Sequence, residues 1–242
     1  MQKNKVHILS TAPVSEALVK EAARYNIIID EISFIYTAEI KNPVTEQRIY
    51  DFANQKITAV FISTNAVDAI AGFIPANITS WKIFCTGNTT KKMVKKIFGE
   101  ENICATADSA EQLAEKVVEN SDLKNIVFFC GDQRRNELPG KLKSSGIAVE
   151  ELIVYKTIKT PRVVSKRYHG ILFFSPSAVQ SFFSKNSITG TTQVFAIGAT
   201  TANAVRSFAT QPVIISHRPG KENLVALAIK HFSKTKSIKC NP

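Results

Sequence analysis

The sequence predicts an α/β protein of doubly wound parallel sheets, and three observations lead there. Short runs rich in β-branched and aromatic residues alternate with helix-length stretches along most of the chain. The strand-like runs are apolar throughout, as expected where helices cover both faces of a sheet. Blocks of the first half also recur in the second at a nearly constant offset, which points to duplication of one α/β unit.

In chain order, "VHIL" (6–9) reads as a strand, "SEALVKEAARY" (15–25) as a helix and "IIIDEISFI" (27–35) as strand again. "AVFI" (59–62) precedes helical "NAVDAIAGFI" (65–74), and "KIFC" (82–85) precedes "TTKKMVKKIF" (89–98). The second half gives "IVFFC" (126–130) with "ELPGKLKSSG" (137–146), then "ILFF" (171–174) with "SAVQSFF" (177–183). "VFAI" (194–197) with "TTANAVRSFA" (200–209) and "PVII" (212–215) with "ENLVALAIKHF" (222–232) complete it. Polar-edged strands at 34–37 and 153–157 occupy equivalent places, each after the second strand of its half.

The repeat is read from four blocks. Residues 25–37 align with 145–157 at a shift of 120, and "FISTNAV" (61–67) with "FFSPSAV" (173–179) at 112. "TGNTTKK" (86–92) matches "IGATTAN" (197–203) at 111, and the same shift pairs Glu111-Gln112-Leu113 with Glu222-Asn223-Leu224. Each half supplies strands for one sheet of domain size. The pattern leaves two arrangements open: two consecutive domains, or a middle domain inserted into one formed by both ends.

Composition narrows the class. Of 242 residues, 31 are Lys or Arg against 20 Asp or Glu, a net charge of +11, so a polyanionic partner suits the chain. Part of the excess lies in the tail "KHFSKTKSIKC" (230–240), where it needs no ligand. No nucleic-acid module signature is present, so no nucleic-acid partner is expected. The apolar start is too short for a secretory signal and no run reaches a membrane span, so a cytoplasmic location off the membrane is expected. Cys85, Cys104, Cys130 and Cys240 have no CxxC spacing; three of them lie in or beside apolar strand-like runs, and these read as reduced, buried thiols. The histidines are scattered, so no metal site is expected.

In open parallel sheets ligands bind at the carboxyl ends of the strands, where helix N-termini present free N–H groups. This chain fills those corners with hydroxyls and small residues: Ser10-Thr11, Ser63-Thr64-Asn65, Thr86-Gly87-Asn88-Thr89-Thr90, Ser175-Pro176-Ser177 and Gly198-Ala199-Thr200-Thr201. Each is a helix cap or an anion site, and the sequence does not choose. Arg134 and Arg135 read as the start of the helix after "IVFFC". Cations there oppose the helix dipole, so they pair with Asp132 or Glu137, or grip a ligand carboxylate. No nucleophile elbow, Walker A loop or zinc-protease helix is present. The duplicated α/β plan suggests racemases with paired thiols, but Cys85, Cys104 and Cys130 have Ala196, Ile215 and Ser10 as repeat mates, which excludes that chemistry.

On "FISTNAV", "CGDQRRNELPGKLKSSGIAVEELIVYKTI" (130–158), "ILFFSPSAV" (171–179) and "FAIGATTANAV" (195–205), in that order and spacing, the chain resembles the uroporphyrinogen-III synthase family over nearly its whole length. The resemblance implies two flavodoxin-like domains joined by a two-stranded connector, with the active site in the cleft between them. The domains would be 1–35 with 159–242, and 36–158 inserted, at a variable relative angle. It implies cyclisation of hydroxymethylbilane, a linear tetrapyrrole with eight carboxylates, to uroporphyrinogen III. The last pyrrole is inverted and water is lost, a hydro-lyase step of porphyrin and haem biosynthesis in a monomer without a cofactor. It implies Tyr155 of "VYKT" as the acid. The substrate-binding residues would be Thr11, Ser63, Thr64, Asn65, Gly87, Thr89, Arg134, Arg135, Ser175, Ser177, Gly198, Thr200 and Thr201. The chain departs from the family's pattern at Ala12, where many members carry arginine, and at Asn88 and Ala199, where proline is usual; Thr64 stands where its repeat mate is Pro176. The competing reading is a non-catalytic two-domain module that binds a polycarboxylate or phosphorylated ligand; a flavin site is a weaker one, since architecture alone supports it.

Overall fold

The computed structural model describes residues 5–75, 80–87, 89–120, 122–188, 190–218 and 220–237. Asn88 and Cys240 lie outside them, as does the end of the basic tail. The chain divides into two compact units, Met1–Tyr36 with Ile158–Pro242, and Thr37–Thr157. Those limits fall one residue inside the anticipated 35/36 and 158/159 boundaries at each crossing.

The first unit holds β1 (Val6–Ser10), α1 (Glu16–Arg24), β2 (Ile27–Glu31), β9 (Gly170–Phe173), α7 (Pro176–Phe183), β10 (Gln193–Ala196), α8 (Ala199–Arg206), β11 (Val213–Ile215) and α9 (Lys221–Ser237). The second holds α2 (Pro43–Ala53), β4 (Thr58–Phe61), α3 (Thr64–Ala71), β5 (Lys82–Thr86), α4 (Thr89–Phe98), β6 (Ile103–Ala107), α5 (Ala110–Val118), β7 (Asn125–Gly131) and α6 (Glu137–Ser144). Two further strands, β3 (Ile35–Glu39) and β8 (Ala148–Lys159), carry the chain across the unit boundaries. Three elements are absent from the sequence reading. Helix α2 is too polar to show a face, and "ICATA" of β6 too weakly apolar to read as a strand; α5 follows it.

The sheets run β2-β1-β9-β10-β11 and β3-β8-β7-β4-β5-β6. Under the repeat, β7 and β8 stand for β1 and β2, while β4, β5 and β6 stand for β9, β10 and β11. Each sheet therefore takes its first two strands from one half and its last three from the other, in the 2-1-3-4-5 order of flavodoxin-like folds. Pairing between β1, β2, β9, β10 and β11 is parallel throughout, as it is between β4 to β8. The β3–β8 pair is antiparallel, since Ile40 N–H donates to Val154 O (2.9 Å) and Thr160 N–H to Phe34 O (2.8 Å). The repeat extends to backbone detail: Asn26 after α1 and its mate Gly146 after α6 are both left-handed, at φ 56° and 80°.

Each sheet is packed on both faces. In the second unit Ala59, Phe61, Phe129 and Val154 meet α2, α3 and α4 on one side, while Val60, Phe84 and Phe128 meet α5 and α6 on the other. In the first, Ile8, Leu172 and Phe195 face α1 and α9, and Leu9, Phe173 and Val194 face α7 and α8. Cys85 and Cys130 lie in these cores, but Cys104 is exposed on edge strand β6, which corrects the expectation of three buried thiols.

Burial pushes the Cys85 and Cys130 thiols up to about 11, from 9.0. The unfolded chain loses those protons first, so the stability they contribute is complete below pH 9 and disappears as pH rises through 11. A fall of a few kcal/mol, about 1.4 per pKa unit and thiol, is expected in urea unfolding between pH 8 and 11. A midpoint flat over that range would contradict the burial.

Candidate active site

In both sheets the strand order reverses beside the first strand, between β1 and β9 and between β7 and β4. Connections there leave in opposite directions and open a crevice at the carboxyl ends. The hydroxyl-bearing corners "FISTNAV" and "FFSPSAV" follow β4 and β9, one at each reversal.

In the second unit, Ser63 is the N-cap of α3, extended at φ −145°, and its Oγ accepts the Asn65 N–H at 3.2 Å. The Tyr155 hydroxyl donates to that same oxygen at 3.2 Å. Tyr155 is half-buried, and burial raises its pKa; the Ser63 bond opposes this, Cys130 and Asp132 reinforce it, and the Asn65 side chain also opposes it. The phenol thus keeps its proton at neutral pH. Thr64, the first residue of α3, is half-buried and Asn65 exposed.

Tyr155 reaches Ser63 through an irregularity in β8. The β7–β8 register pairs Cys130 with Ile153 but Gly131 with Tyr155, so Val154 is an extra residue. Val149 packs under α5 and α6, whereas Leu152, Val154 and Tyr155 all pack on the α3 side. Regular alternation would have turned Tyr155 away from α3; the bulge turns it back. Gly131 faces the ring so closely that a β-carbon there would lie 2.4 Å from the carbon bearing the hydroxyl.

The arginine turn differs from its sequence reading. α6 begins at Glu137, so Arg134 and Arg135 precede the helix. Arg134 pairs with Glu151, a mostly buried carboxylate on β8 that also takes Lys143 Nζ at 2.9 Å. Neither anticipated partner, Asp132 or Glu137, holds it. Arg135 lies 3.6 Å from Glu137 with both side chains about half exposed, a contact that leaves it free to move. At the α4 corner, the Gly87 N–H is taken by Ala107 O at 2.7 Å; Thr89 is exposed and Thr90 buried.

In the first unit Ser175 caps α7, its Oγ accepting the Ala178 N–H at 3.2 Å, and Ser177 is half-buried on the first turn. Thr11 is buried; its N–H and hydroxyl both go to Leu172 O, at 3.1 and 2.8 Å, which ties β1 to the end of β9. Helix α8 starts from Gly198 without a side-chain cap, so its first N–H groups stay available to an anion. Thr200 is exposed there and Thr201 buried, repeating the Thr89 and Thr90 pattern. The two serine corners are thus capped by their own side chains, whereas the α8 corner has no side-chain cap.

A cavity of about 370 Å³ lies at the other end of the first sheet, before β9 and β10. Three of its polar side chains are engaged within the protein: Lys166 with Asp30 (2.5 Å), Asn186 with the Val164 N–H (2.7 Å), and Thr192 with Tyr168 O (2.7 Å). None of the corner residues lines it.

The family described as uroporphyrinogen-III synthase HemD matches residues 16–226. Two solved structures share the fold at low identity. A mutant uroporphyrinogen III synthase from the extremely thermophilic bacterium Thermus thermophilus is 12% identical, with a TM-score of 0.64, over 95% of this chain and 99% of its own. The uroporphyrinogen-III synthetase of Helicobacter pylori is 14% identical, with a TM-score of 0.64, over 93% and 99%.

Proposed function

Because the chain belongs to the uroporphyrinogen-III synthase family, we propose that it closes hydroxymethylbilane to uroporphyrinogen III with Tyr155 as the acid. The observation that carries this assignment is the protonated phenol seated on Ser63 at the reversal of the second sheet. The terminal hydroxyl takes the Tyr155 proton and leaves as water, giving an azafulvene. The methylene of that cationic azafulvene bonds to the α-carbon of the last pyrrole that already carries a bridge. The bond from that carbon to its original bridging methylene breaks, and the released methylene bonds to the pyrrole's free α-carbon, which closes the ring with the last pyrrole inverted. That pyrrole sheds a proton, which restores the phenol, so the step balances as a hydro-lyase reaction without a cofactor.

The azafulvene also closes unaided to the uninverted isomer, so the protein's task is to choose a conformation. Helix N-termini and a net charge of +11 suit a substrate with eight carboxylates. In this reading the uncapped α8 start with Gly198 and Thr200 takes one carboxylate. Ser177, Thr64, Asn65, Thr89 and the exposed Arg135 line the remaining contacts; Gly87, whose N–H goes to Ala107 O, Ser175, Thr11, Thr201 and the Glu151-bound Arg134 hold those corners in shape. The reading includes a monomer in the cytoplasm with no nucleic-acid or membrane partner; among the described residues no helix is long and apolar enough to cross a bilayer.

The test generates hydroxymethylbilane in situ, adds the protein and separates the oxidised uroporphyrin isomers. Isomer III is expected to predominate. Isomer I alone, at the level of a protein-free control, would overturn the assignment and favour a binding module.

A further inference from the structure

Tyr155 owes its orientation to one extra residue in β8, and a bulge is held only if its loosened backbone groups find partners. Strand β7 ends at Gly131, directly opposite Tyr155, so no ladder remains to take up the N–H groups that follow. One residue takes over that task. The Asp132 N–H donates to Tyr155 O at 3.1 Å, and Asp132 Oδ1 accepts the Thr157 N–H at 2.9 Å. Asp132 thus grips β8 at Tyr155 itself and two residues beyond, while Arg134 in the same turn reaches Glu151 on the other side. The second carboxylate oxygen takes the Gln133 side-chain amide at 3.3 Å, which fixes the carboxylate plane.

We propose that Asp132 is a positioning residue for Tyr155: it locks the β8 bulge, and thereby keeps the phenol on the α3 side and against Ser63. The proposal rests on the assignment of Tyr155 as the acid for its effect on rate, but not for its effect on structure. What matters is an acceptor at the Oδ1 position rather than the negative charge. Asparagine keeps that acceptor in place, glutamate keeps the charge but carries it one methylene too far, and alanine removes both.

The test compares Asp132→Ala, Asp132→Asn and Asp132→Glu in the full chain labelled with 3-fluorotyrosine, the residue-155 fluorine line being identified by its loss in Tyr155→Phe. Asp132→Ala and Asp132→Glu are expected to shift or broaden that line. They should lower kcat for isomer III by about ten- to a hundredfold, the scale of a 1 Å misplacement, with KM nearly unchanged. Asp132→Asn should restore the line and most of kcat. If Asp132→Ala does not fold, the asparagine and glutamate variants decide the matter by themselves. A residue-155 line unmoved in Asp132→Ala or Asp132→Glu overturns the proposal, and so does a native-like glutamate variant beside an impaired asparagine one. If Tyr155→Phe retains full isomer III formation, the acid assignment fails while the fluorine line still judges the positioning.

Discussion

Tyr155→Phe is expected to lower the rate of isomer III formation by about 10²- to 10³-fold, the usual contribution of a positioned general acid. The ring keeps its packing against the α3 side of the sheet, so stability should change little. The lost hydroxyl removes the donor to Ser63 and the proton for the leaving group together. Spontaneous closure to isomer I continues, so the product ratio shifts toward isomer I as well as the rate falling. Isomer analysis over time measures both. The pH dependence has a definite sign: the acid works while protonated, and burial raises its pKa above the ordinary value near 10. The alkaline fall of kcat in the native enzyme should therefore lie above pH 10 and vanish in the Phe variant. An isomer III rate within twofold of the native one would remove Tyr155 from the mechanism.

Ser63 sharpens this reading because its oxygen serves two partners. It caps α3 through the Asn65 N–H and receives the Tyr155 hydroxyl. At the "FISTNAV" corner one atom is thus both the helix cap and the acceptor that seats the Tyr155 hydroxyl. The "FFSPSAV" corner caps its helix in the same way but meets no tyrosine, because the repeat mate of Tyr155 is Ile35 and Tyr36 is one position out of register. Duplication therefore yields matching frames with different chemistry, and a single acid is what this reaction needs.

Much of the fold was legible because it is written in local patterns. The apolar strands, the helices after them and the four repeat blocks all follow from periods and spacing. What the repeat cannot reveal is which copy of each strand pairs with which. Equivalent strands present equivalent edges, so β1 beside β9 and β1 beside β4 satisfy the same pattern. Site details were hidden for another reason. "ELIVYKTIK" reads as one unbroken strand, and its extra residue exists only relative to β7. Likewise, Arg134 finds Glu151 across the sheet rather than a charge in its own turn. Contacts across register are invisible to a reading that runs along the chain.

Gly131→Ala is the second substitution with a large expected effect, and it separates space from flexibility. Gly131 needs no left-handed backbone; it is small because the Tyr155 ring occupies the place of its β-carbon, 2.4 Å from one ring carbon and 2.8 Å from the hydroxyl oxygen. A methyl group there must displace the ring. Overpacking of this kind costs about 1–3 kcal/mol, toward the low end where a half-buried side chain can swing aside. The phenol cannot swing and still reach Ser63, so the rate of isomer III formation should drop about a hundredfold or more while the protein stays folded. The double variant Gly131→Ala/Tyr155→Phe tests the cause. If Gly131 acts only by admitting the ring, the alanine has nothing further to remove once the hydroxyl is gone, and the double variant should be no slower than Tyr155→Phe. Losses that multiply would place Gly131 in a separate role, such as close approach of its backbone to the substrate.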